Sequence, residues 1–218
     1  MDNSEFKRLL DRLAEDIREA AIFRKLHVDL IASFNEFRRE FNESNTFWYL
    51  SFQAYLEVAL HRLNRIYVGH NDALSLGSWL EAIKNNPQLF VALPDPVQLD
   101  QDIRSVEDDP IVKKLVKLRG NIVAHINWNN VAKNLKLGDR FALSFGEIDV
   151  LISRASDILN RYSVLFNQES WSTPIVGHDD FQTILKALRG YLERMNVEIA
   201  KEIEGATRAA GSVPGTVA

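Results

Sequence analysis

Arg119, Asn121 and His125 are the residues of this chain whose types and spacing can do chemistry. They sit in Asp109–Trp128, where Lys113, Lys114, Lys117 and Arg119 add positive charge and no acid follows Pro110 to balance it. Histidine moves protons near neutral pH, and arginine stays charged and grips phosphate oxygens with a planar fork. That pair suffices to cleave RNA without a metal. The ribose 2′-hydroxyl attacks the phosphorus, histidine shuttles the protons, and arginine stabilises the charge that builds on the phosphorane. DNA lacks the hydroxyl and would be spared. The lysines would grip the RNA backbone by charge alone. In the plainer reading, a cationic His125 relieves a helix C-terminus, worth about 0.3–1 kcal/mol, and Arg119 and the lysines face solvent.

The stretch opens as a helix. Asp109 can cap the free amides, and Pro110 sits at the first helical position, where its missing N–H costs nothing. Ile111, Leu115, Leu118 and Ile122 recur as one apolar face. On such a helix Asn121 and His125 share a side. Arg119 and His125 lie about 9 Å apart along the axis and about 120° apart around it, too far for a tight pair within one chain. Two copies of the segment meeting across a dimer assemble a compact site more easily.

The elements around it are also helical. Residues 4 to about 42 carry Leu9, Leu10, Leu13, Ile17, Ala20, Phe23 and Leu26 at helical spacing, as one bent helix or two. Arg38 and Arg39 lie among Glu36, Glu40 and Glu43, which reads as a solvated charged face. A central helix from Ser44 or Asn45 to about Val68 bears Arg62 and Arg65 on its far part. Either these arginines snorkel at the core edge and pair with acids, or they support a phosphate site around Arg119. Ser75 caps a short helix, and Leu93-Pro94-Asp95-Pro96 keeps the next stretch irregular. Residues 97–108 form a short helix or a mobile connection, and 127–140 read as a polar loop. Ser144 and Glu147 make a capping box for a strong helix, and Asp179 or Asp180 opens the last one. From Gly205 the apolar periodicity stops, so one domain over residues 1–204 and a disordered tail over 205–218 are expected. No strand alternation is visible, and the fold class is an all-α bundle of about six or seven helices.

Composition removes other chemistries. With 46% hydrophobic and 26% charged residues, the 218-residue chain reads as an ordinary soluble protein. It has no cysteine, which suits a cytoplasmic protein and excludes thiol catalysis. No signal peptide is expected, and no apolar run approaches the roughly 20 residues that span a bilayer. A net charge of -4 confines any nucleic-acid contact to a local patch. His27, His61, His70, His125 and His178 show no metal-ligand spacing, so no metal and no cofactor are expected. His27, His70 and His178 read as surface or loop residues.

The run Leu118-Arg119-Gly120-Asn121-Ile122-Val123-Ala124-His125 resembles the Arg-x(4–6)-His motif of the HEPN superfamily, the higher-eukaryote and prokaryote nucleotide-binding helical domains. Phe47-Trp48, then Arg62-Leu63 and Arg65, then Ser75-Leu76 are similar in kind and order to its abortive-infection branch. The resemblance covers roughly residues 45–165. It implies a metal-independent endoribonuclease whose site is composed by two subunits, hence an RNA substrate and a homodimer. It also implies a role in phage defence or a toxin–antitoxin pair, with an antitoxin or a nucleotidyltransferase as partner. The family usually has a polar residue directly after the arginine; here that residue is Gly120, and Asn121 brings the polar group one position later. Some members are inactive scaffolds. The alternative is therefore a non-catalytic module that binds RNA, a nucleotide or a protein.

Overall fold

Phe6, Leu10, Leu13, Ile17 and Ala20 alternate four- and three-residue steps along the first helix, and all five are buried. This stripe seeds the larger of two compact units, Met1–His27 with Gln53–Val176; the smaller is Val28–Phe52 with Gly177–Ala218. The computed structural model describes residues 1–69, 73–118, 143–171 and 177–211, and among these there is no strand. The described helices are α1 (Asn3–Ser33), α2 (Arg38–Glu43), α3 (Asn45–Tyr67), α4 (Leu76–Asn85), α5 (Pro96–Glu107), α6 (Pro110–Leu118), α7 (Phe145–Asn167) and α8 (Asp180–Gly211), with a 3₁₀ turn at Pro87–Leu89. The fold is all-α, as the periodicity indicates.

In the larger unit, Phe6 packs on Trp79 at 5.7 Å and on Phe166 at 4.7 Å between ring centroids, and Phe90 meets it edge-on at 5.3 Å. Each such ring stabilises by about 1.5–3 kcal/mol through burial. The helix starts follow local chemistry. Ser75 and Ser144 both close capping boxes, the first with Ser78 and the second with Glu147. Residues 96–107 are helical because Asp95 accepts from the Val97 amide at 3.0 Å and Pro96 takes the first position. The irregular reading of that stretch therefore holds only up to Asp95.

In the smaller unit α8 packs on α2, burying Leu185 and Leu192. Glu40 is buried there, not part of a solvated face: Arg189 donates to it at 2.7 Å and lies 4.4 Å over the Phe37 ring. The Arg189 hydrogen bond holds the Glu40 carboxyl below its ordinary value. α8 runs through Gly205 to Gly211, past the point where the apolar periodicity ends. Alanine, glutamate and arginine favour helix there, and one glycine costs only about 1 kcal/mol.

Candidate functional site

α6 precedes the Arg119–His125 segment in the sequence, and the residue that caps its start is fixed from three sides. Asp109 Oδ1 accepts from the amides of Ile111 at 2.6 Å and Val112 at 3.3 Å. Its Oδ2 accepts from Arg154 on α7 at 2.9 Å, and the same guanidinium donates to the Ser105 carbonyl of α5 at 2.9 Å. One arginine thereby ties the end of α5, the start of α6 and the middle of α7. Burial works to raise the Asp109 pKa, but the bonds from Arg154, Ile111 and Val112 outweigh it and hold the carboxyl below its ordinary value. Val112, Leu115 and Leu118 are buried while Ile111 is only half-buried. The apolar face is thus turned toward Val112 from the Ile111–Leu115–Leu118 line, because the Asp109 cap sets the entry of the helix.

The three lysines of α6 are exposed. Lys113 pairs with Asp108 at 3.4 Å, and Lys114 pairs with Glu147, the capping-box acid of α7. Exposed pairs of this kind are weak, so a polyanion can compete for both cations. Arg62 and Arg65 meet around one acid. Asp16, 5% exposed, accepts from Arg62 at 2.9 Å and faces Arg65 at 3.1 Å, and Arg62 also pairs with Glu19. The pairing-with-acids reading describes their geometry. Lys113 and Lys114 are thus held by Asp108 and Glu147, and these arginines by Asp16 and Glu19.

A second cluster fixes the start of α7, the first described helix after the motif segment. Arg24 donates to Asp149 twice, at 2.7 Å and 3.0 Å, and lies 4.8 Å over the Phe145 ring. It also donates to His27 Nδ1 at 3.2 Å, and the His27 ring meets Phe145 edge-on at 5.3 Å. His27 is buried, which corrects its reading as a surface residue. Burial first, and the Arg24 charge second, push its pKa down, so the imidazole is neutral at pH 7. The sequence did carry a signal for both residues. Continuing the four-three stripe from Phe6 through Ala20 lands on position 24 and then 27. Arg154 gives no such signal, because its partners lie 45 and 49 residues away.

Arg154 also lines a cleft of about 540 Å³ in which Asp102, Ser105, Asp149 and Arg161 sit beside the apolar Val150 and Ile158. Asp102 is taken by Arg161 and by the Tyr162 hydroxyl, which donates at 2.8 Å, and Asp149 is taken by Arg24. The cleft is an ion-pair lattice that locks α5 and α7 together. Among the described residues, no group of three or more His, Asp or Glu side chains is placed to hold a metal ion, and no helix is long and apolar enough to cross a membrane. Arg119, Asn121 and His125 fall within 119–142, outside the described residues, as does Ile122.

The family model described as HEPN_AbiU2 (AbiU2) matches residues 3–195 of the chain. No curated protein and no solved structure matches it.

Proposed function

Since the chain belongs to the AbiU2 family of HEPN domains, we propose that it is a metal-independent endoribonuclease of abortive infection. The observation that carries this reading is the Arg119-x(5)-His125 spacing within a chain of that family. His125 takes the proton of the ribose 2′-hydroxyl or delivers one to the departing 5′-oxygen. Arg119 neutralises the phosphorane, and the products are a 2′,3′-cyclic phosphate and a 5′-hydroxyl. Arg119 and His125 are too far apart along one helix for a compact site, so a homodimer supplies the pair from both subunits. Asn121, on the His125 side, orients the phosphate or the imidazole. Lys113, Lys114 and Lys117 hold the RNA backbone, and Arg62 and Arg65 contribute from the edge of their acid cluster. An antitoxin or a nucleotidyltransferase restrains the activity until infection.

The test is cleavage of an end-labelled RNA in excess chelator, beside the same oligonucleotide with 2′-deoxy sugars. The expected result is a cyclic-phosphate ladder from the RNA and no product from the deoxy strand. Cleavage only after a divalent cation is added, or equal cleavage of both strands, refutes it. Gly120 favours a second reading, in which the polar residue after the arginine is missing and the same surface binds RNA, a nucleotide or a partner without cutting. Saturable, salt-sensitive RNA binding with no product at any enzyme excess selects that reading.

A further inference from the structure

Beyond Leu192, every residue of α8 from Glu193 to Arg208 is exposed, with Arg39 reaching only the Asn196 side chain among the described residues. A bare single helix of that length is marginal in water, since nucleation is costly and propagation returns little per residue. Yet its surface is not that of a solvated helix. Ile184, Tyr191, Met195 and Ile199 are 61%, 52%, 36% and 47% exposed, and Leu188 between them is half-buried. At 100° per residue these five fall within about 80° of arc and extend about 22 Å along the axis. Leu185 and Leu192, the residues that α8 buries within its own unit, lie beside this stripe and not on it.

We infer that this stripe is the surface through which two copies of the chain associate. The steps along it are four, three, four and four residues, close to the seam of a coiled coil, whose natural complement is another helix with the same seam. A second copy provides one. The area is also right. The five side chains expose on the order of 400 Å², near the apolar share of the ~800 Å² that each partner gives to a standard interface. Charge argues against a polyanion as the occupant, because Glu193, Glu198, Glu202 and Glu204 outnumber Arg194, Lys201 and Arg208 on the uncovered half. This association provides the second copy that the composite site needs, but its evidence is separate from the nuclease reading.

The experiment is sedimentation velocity on the full chain, from about 1 to 100 μM, with no RNA present. The wild-type chain is expected to sediment as a concentration-dependent dimer. Ile184→Glu and Tyr191→Glu change exposed positions, so helicity is retained, and each raises the dimer dissociation constant at least ~30-fold, as for loss of an interface anchor. The milder Tyr191→Ala moves the same way by at least ~tenfold. Val197→Glu lies on the opposite side of α8 and leaves the constant within ~threefold. A wild-type monomer at 100 μM overturns the inference, as does a dimer that survives both glutamates or one that Val197→Glu weakens equally. RNA cleavage is scored apart. A dimer held by this stripe that never cuts RNA keeps the inference and removes the nuclease reading, whereas a monomer that cuts RNA removes the inference and the two-subunit site but keeps the nuclease activity.

Discussion

Replacing Asp109 with alanine removes three hydrogen bonds at the start of α6, the helix that precedes the motif in the sequence. The lost cap costs about 1 kcal/mol. Arg154 keeps its bond to the Ser105 carbonyl but has no counter-charge, with 22% of its side chain exposed, which adds about 1–3 kcal/mol. The sum of about 2–4 kcal/mol lowers the melting temperature by roughly 5–15 °C in a chain of this size. Asp109→Asn keeps a good capping group and loses only the charge, so it costs about half as much. The double variant Asp109→Ala/Arg154→Met falls short of additivity by about 1 kcal/mol or more. The pH dependence has a definite sign. The folded Asp109 pKa lies below the ordinary 3.8, so its contribution is complete above that pH and disappears as pH falls through the folded value. Urea denaturation followed by far-UV circular dichroism, at pH 7 and again below pH 3.8, measures all of this. A loss under 0.5 kcal/mol for Asp109→Ala at pH 7, or an equal loss for Asp109→Asn, refutes the anchoring described for α6.

Three further outcomes follow from the same geometry. His27 has a folded pKa below 6.5, so the unfolded chain takes up the proton first; stability is complete above pH 6.5 and falls below it, by up to about 1.4 kcal/mol per pH unit. His27→Gln removes that slope, and an unchanged slope between pH 7 and 5 refutes the assignment. Leu115→Ala empties a fully buried position of α6 and costs about 2–5 kcal/mol in urea, where a cost under 1 kcal/mol shows that the α6 side chains pack elsewhere. Changing Lys113, Lys114 and Lys117 together to glutamine flattens the salt dependence of RNA binding by up to about two units of slope, and an unaltered slope excludes these lysines from the backbone contact.

Local chemistry was the legible part of this chain. Asp109-Pro110, Ser75 and Ser144-x-x-Glu147 act through groups two or three residues away, so the sequence places those helix starts well. The same holds for the stripe from Phe6 to Ala20, which a single helix imposes. What reading by type missed was polar residues inside such stripes. Arg24 and His27 occupy core positions because Asp149, 125 residues from Arg24, neutralises the arginine, and no local pattern reveals that partner. Glu40 is buried for the same kind of reason, since its mate Arg189 is 149 residues away. Arg154 is the same kind of case. Its role comes from three elements converging, and only the folded chain brings the Ser105 carbonyl and Asp109 to it. The candidate site divides along the same line. The lysines and the start of their helix follow from the sequence and lie within the described residues. Arg119, Asn121 and His125 rest on motif spacing and on membership of the family.

The most direct test of the catalytic assignment is the single-turnover rate of RNA cleavage, at saturating enzyme and in excess chelator, for the wild-type chain beside His125→Ala, Arg119→Ala and Arg119→Lys. The account predicts loss of at least ~10²-fold in rate for His125→Ala, as for removal of a general acid or base. Arg119→Lys should fall nearly as far as Arg119→Ala, because an ammonium cannot reproduce the planar fork that holds the phosphorane. Helicity and melting temperature should stay at wild-type values in all three. Wild-type cleavage by His125→Ala, or by Arg119→Lys, contradicts the account.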